Sequence, residues 1–202
     1  MQKPLALSIG LLALAGCSAS YIAPEPVLAP TLGQPVTAMT TEQTLPVSIS
    51  DAWKNIQDYS SERYRTIRQN KSNGELSLFV DAFEPDSAIT CGMVQSQNGM
   101  FDSHREFLAL LAQQTPVNLD ITVHIKLTAK SPKQTAIAVN TDYEMAVGYQ
   151  TNPGTGAIIG GARYQFNSRG SANVAAPGGG FAARCQPTGS VETGIINAAR
   201  GN

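Results

Sequence analysis

Charge is what this chain has least of. Asp, Glu, Lys and Arg make up 14% of its 202 residues, where an average soluble domain carries about 25%. The formal net charge is −1. So sparse and balanced a set points neither to a nucleic-acid partner nor to electrostatic docking on a membrane. Histidine is scarce too: His104 and His124 stand far apart, and with three cysteines they form no metal-ligand spacing. No G-x-S-x-G elbow, Cys/His nucleophile pattern or G-x-x-x-x-G-K-[ST] loop occurs. Asp81, Glu84 and Asp86 cluster in "DAFEPD" but lack the ligand spacing of a calcium loop, and read as a solvated turn. No pair of carboxylates is singled out for glycoside cleavage. No apolar run reaches the roughly 20 residues that a membrane-spanning helix needs.

What is present begins at the N-terminus. One lysine, Lys3, precedes an apolar run from Leu5 to Gly16, which ends in small residues at Cys17. Charge, short apolar core and small residues are the layout of a secretory signal. The small residues run into the cysteine itself, and Leu14-Ala15-Gly16-Cys17 closely resembles the lipobox of bacterial lipoproteins. The resemblance implies cleavage before Cys17, a diacylglycerol on its thiol and an acyl chain on the new amino group. One acyl chain anchors only marginally, whereas two or three hold a protein on a membrane essentially for good. Ser18 follows where Asp would favour the inner membrane, so the family rule places the chain on the outer membrane, facing the periplasm.

Residues 1–16 are thus expected to be a signal peptide, 17–40 a lipidated tether and 41–202 one periplasmic domain. Pro24, Pro26, Pro30 and Pro35 keep the tether extended. At ~3.1 Å per residue it reaches on the order of 60 Å. Its apolar points, Tyr21, Ile22, Val27, Leu28 and Leu32, either ride on a passive spacer or lie along a partner. In an oxidising compartment Cys91 and Cys185 are most simply a disulfide closing a loop of about 94 residues, worth up to roughly 4–5 kcal/mol. Two buried free thiols or a bond to another chain are the alternatives.

The folded part reads as α+β. A strand "TLPVSI" leads to Ser48 or Ser50 as an N-cap. Ala52, Trp53, Ile56 and Tyr59 recur at helical spacing to about Ser61, with Trp53 as core anchor. Ser48-x-x-Asp51 is a capping box with Asp in place of Glu. "RYRTIRQ" and "ELSLFVDAF" flank the hairpin turn Ser72-Asn73-Gly74. Cys91 falls in a short strand. Ser103 caps a second helix whose stripe is Phe107, Leu108, Leu110 and Leu111. From Val117 to Thr128 apolar and polar residues alternate strictly, which puts one face in a core and one in water. "AKSPKQ" makes the turn, and Thr135 to Val147 returns. A further strand is expected from Tyr164 to about Val174, and Thr188 or Ser190 caps a last helix. The sum is a mainly antiparallel sheet of five to seven strands, with two or three short helices on one face.

The glycine-rich stretch "GYQTNPGTGAIIGGARYQF" is either a long hairpin tip or an exposed apolar finger. In the second case Ala157, Ile158 and Ile159 are the candidate partner-binding residues. The topology resembles the small sheet-and-helix domains of accessory lipoproteins in outer-membrane assembly and secretion machinery. The expected function is therefore a non-catalytic structural or accessory subunit of a cell-envelope complex, held on the membrane through Cys17 and contacting envelope proteins. No cofactor, metal or catalytic residue is expected. The alternative is a periplasmic binding module for a small hydrophobic or lipidic ligand.

Overall fold

The computed structural model describes residues 41–81, 83, 85–91, 94–96, 99–101, 111, 116–151, 154, 158–175 and 181–201. The signal, Cys17, the tether, Ala157, His104 and the proposed second helix lie outside this set, apart from Leu111 of that helix, which is helical and fully buried.

The centre of the fold is the strictly alternating segment. It forms β7 (Val117–Ser131), paired antiparallel along nearly its whole length with β8 (Gln134–Thr151). Leu119, Ile121, Val123, Ile125 and Leu127 are buried, and so are Ile137, Val139, Tyr143, Met145 and Val147. Every second residue between them is partly or fully exposed. The turn is tighter than its sequence suggests, because the strands run on to Ser131 and resume at Gln134. Pro132 opens it, with its φ already set for a turn, and a register shift after Ala129 absorbs the odd residue.

β3 (Glu75–Val80) pairs with the outer edge of β7, and β2 (Arg65–Asn70) with β3. The hairpin between them turns at Gly74, whose φ of +69° suits glycine. A Cβ there would collide with the Leu127 carbonyl. β8's other edge is shared end to end. β1 (Glu42–Leu45) pairs with residues 135–138, and β9 (Ile158–Asn167) with residues 142–151. This makes a six-stranded sheet.

Two helices cover its buried face. α1 (Ile49–Ser60) brings Ala52, Trp53 and Ile56 to the core, and Trp53 is the buried anchor its spacing implied. Ser48 is its N-cap: the hydroxyl accepts from Asp51 N at 3.1 Å and donates to Asp51 Oδ2 at 2.6 Å. The carboxylate thus engages the cap's hydroxyl, where a capping-box Glu would engage its backbone N–H. The C-terminal helix (Ser190–Arg200) packs beside α1, with Val191, Ile195, Ile196 and Ala199 buried. Its N-cap is Gly189, at φ +82°, with no side-chain cap. The expected cap Thr188 instead accepts from Ser190 N at 3.3 Å.

Beside the expected sheet stands a second, five-stranded one that was not expected. It comprises β4 (Ile89–Cys91), β5 (Val94–Ser96), β6 (Gly99–Phe101), β10 (Ala172–Ala175) and β11 (Phe181–Pro187). The strand expected over 164–174 divides between the two sheets. Asn167 closes β9 with an Asx turn, its Oδ1 accepting from Arg169 N at 3.0 Å, and the chain then leaves for β10. The one-turn helix α2 (Pro85–Ala88) precedes β4, so the C-terminal helix is α3. Ile89, Val174, Ala183 and the buried cysteines join the same hydrophobic cluster as the main sheet. Among the described residues no helix is long and apolar enough to cross a membrane.

Candidate functional site

Cys91 and Cys185 face each other as partners of the short β4–β11 ladder and form the disulfide. Both are buried, at 2% and 0% exposure. A three-residue strand such as β4 has little ladder of its own, and the bond fastens it where β11 runs into α3. Hydrogen bonds tighten the same junction. Thr188 N donates to Ala88 O at 2.9 Å, and Ser190 Oγ to Ser87 O at 2.6 Å.

Just beyond that junction lies a group that the sequence reading passed over. Glu192, in the first turn of α3, is completely buried. The Tyr143 hydroxyl reaches its two oxygens at 3.0 and 3.2 Å, and Ser168 Oγ donates to one of them at 2.8 Å. Ser168 in turn accepts from Thr141 N at 2.6 Å. Phe166 stacks on the Tyr143 ring with centroids 5.4 Å apart. The helix N-terminus favours a carboxylate here, and the two hydroxyls satisfy it away from water. Burial, then the adjacent Glu192 carboxylate, push the Tyr143 phenol well above its ordinary range, so it stays a donor. Burial, followed by Tyr59, pushes Tyr64 up to about 12. The signal for Glu192 was its spacing: 192, 195, 196 and 199 share one helical face, and three of the four are apolar.

The main sheet's opposite face is open. His124, read from the sequence as a surface residue, is exposed on β7 and joins its neighbours across three strands. Its Nδ1 lies 3.2 Å from Ser77 Oγ on β3, and its Nε2 lies 3.2 Å from Asp142 Oδ2 on β8. This line differs from a hydrolytic triad in its chemistry. The serine meets Nδ1 and the carboxylate Nε2, the reverse of a catalytic histidine's arrangement. The His124 and Asp142 side chains are 49% and 63% exposed, so water competes for both. Ser77 sits mid-strand with β2 on one side and β7 on the other. Backbone amides there serve ladders, whereas an oxyanion site needs them free.

Ion pairs flank the line. Lys126 Nζ meets Glu75 Oε1 at 2.9 Å, and that hydrogen bond, with the lysine's charge, holds the Glu75 carboxyl below its ordinary range. Glu144 accepts from Arg163 Nη1 at 2.6 Å and from Gln165 Nε2 at 2.8 Å. Two shallow hollows mark the face. One, of about 560 Å³, lies among Asp120, Asp142, Glu144 and neighbouring polar residues, together with Phe79, Tyr143 and Phe166. The other, of about 500 Å³, has Ala136 and Ala138 in its lining beside Lys126, Lys130 and Glu42. Both ends of the face are thus mixed, with Asp142 and the Glu144–Arg163 pair at one and Lys126, Lys130 and Glu42 at the other.

The remaining expected site residues are dispersed. Ile158 and Ile159 begin β9, with Ile158 opposite Thr151, and Ala157 lies outside the described residues. Asp81 is exposed. Among the described residues no group of three or more His, Cys, Asp or Glu is placed to hold a metal ion. Comparison of the chain with protein families, with curated proteins and with solved structures finds no match.

Proposed function

We propose that this chain is an exported lipoprotein, anchored through Cys17 in the outer membrane and facing the periplasm. Its folded part serves as a non-catalytic accessory subunit of a cell-envelope complex. The carrying observation is Leu14-Ala15-Gly16-Cys17 at the end of a run too short to span a bilayer. The buried Cys91–Cys185 disulfide supports the same side of the membrane, since such bonds persist in oxidising compartments. The open face supports a docking role. It presents mutually bonded polar side chains on a sheet, and its hollows are shallow with mixed polar and apolar linings, as suits a protein surface better than an enclosed small molecule.

Cys17→Ala tests the anchor. The variant is expected to leave the membrane fraction and to keep a poorly processed signal. Unchanged fractionation and processing would overturn the proposal.

A further inference from the structure

The whole-chain charge balance conceals a local one. Residues 61–74, which hold β2 and its flanking turns, carry Arg63, Arg65, Arg68 and Lys71 against the single acid Glu62. All four cations are exposed. β2 is also an outer strand of the main sheet, with β3 as its partner among the described strands. Its pairing with β3 shifts between Thr66 and Arg68, leaving Ile67 as a bulge. The bulge has two consequences. Arg65 and Arg68, three apart, come opposite Phe79 and Ser77 and so share the open face. Ile67, at 50% exposure, becomes the exposed large hydrophobic residue of the described structure.

The cations are braced at the edge. The Arg63 guanidinium lies 4.7 Å from the Tyr59 ring centre and donates to Tyr59 O at 3.1 Å, while Arg65 lies 5.1 Å from the Phe79 ring centre. Glu75, opposite Asn70 across the hairpin, is bonded to Lys126 and also feels the charge of Arg68. The result is an exposed apolar residue flanked along the strand by cations on both sides. Strand addition by a partner is a poor match, because a bulge and flanking charges are how edges avoid it. An anionic phospholipid surface is a good match. Phosphates would meet the cations, and Ile67 would enter the interface among them.

We infer that the β2 edge lies against the anionic headgroups of the membrane to which the chain is tethered. This rests on the anchored reading for proximity, since a patch of four cations is a weak ligand by itself. Contact at β2 would bring the bilayer to the β2 margin of the open face and leave the β8 and β9 side of that face for a protein partner.

The test uses the full lipidated protein with Gln69→Cys carrying a polarity-sensitive dye. Cys91 and Cys185 are bonded, so with Cys17 acylated the new thiol is the one free to react. The protein is reconstituted with vesicles of phosphatidylcholine alone, or with roughly a third phosphatidylglycerol. Flotation reports the anchor and the dye reports the edge. The expected result is flotation with both, and a blue shift confined to the anionic vesicles and reversed by salt. Arg65→Gln with Arg68→Gln should lower the contacting population about 25-fold, from about fivefold per cation. Ile67→Ser should reduce the shift with the charges intact. Flotation with both but identical spectra overturns the edge contact and leaves the anchor standing, pointing to an acidic protein as the edge's partner. Flotation and shift on anionic vesicles alone, with peptide mapping placing the dye at position 69, support the edge and overturn the anchor. Flotation with neither overturns both.

Discussion

The two faces of the main sheet follow the same two-residue period and do different work. On the helix-covered face, Ile121, Val123, Ile137 and Val139 are buried. On the open face, Ser77, His124 and Asp142 join by bonds between exposed side chains. A buried apolar side chain contributes on the order of 1.5–3 kcal/mol through burial alone. An exposed ion pair contributes about 1 kcal/mol or less. Stability therefore resides on one face, and the other is free to be shaped by what it touches.

Neighbouring residues on one strand make that contrast testable, with urea unfolding followed by the buried, single Trp53. Ile121→Ala should cost about 2–5 kcal/mol through lost burial and a cavity. Thr122→Ala, one position along and on the open face, should stay within roughly 0.5 kcal/mol. Equal costs would break the comparison. Replacing both Cys91 and Cys185 with Ala should cost about 2–4 kcal/mol and should loosen the start of α3 first, as read by hydrogen exchange.

The buried carboxylate sharpens the contrast further, because it is polar chemistry on the apolar side. Tyr143→Phe or Ser168→Ala removes one donor from Glu192 and should cost about 1–3 kcal/mol each. Tyr143 also sets an alkaline limit. Its folded pKa is raised above the ordinary 10.0, so its contribution is complete below about pH 10 and is lost as pH climbs towards the folded value. Tyr64 acts in the same direction between 10.0 and about 12. Stability should fall from pH 10 upward, and Tyr143→Phe should flatten that fall. The smallest effect belongs to the open face: Lys126→Ala, which breaks the exposed pair with Glu75, should leave the urea midpoint essentially unchanged.

Legibility in the sequence followed the length of each element. β7 and β8 were readable because six alternating pairs leave no other period, and α1 because a cap, a stripe and the single tryptophan agree. The disulfide followed from counting cysteines in a chain expected to be exported. The short strand at Cys91 was legible, but its membership of a second sheet was not. That sheet's strands run three to seven residues, too short for a period, and they are ordered by pairing and by a covalent bond distant in sequence. The division of β9 from β10 depends on the Asx turn at Asn167, which leaves no trace in hydropathy. The same holds for the Ser77–His124–Asp142 line, whose members meet only through register. Glu192 was readable in principle, as an acid within an apolar stripe. The β2 edge was hidden by a whole-chain charge near zero and by a bulge that pairing alone creates.

The proposed anchor stands or falls with Cys17, whose state is read from the intact mass of the mature protein purified from membranes. The expected mature chain starts at Cys17 and carries a diacylglyceryl thioether and an amide-linked acyl chain, with Cys91 and Cys185 oxidised. A mature chain that begins elsewhere, or a Cys17 with a free thiol, would contradict it.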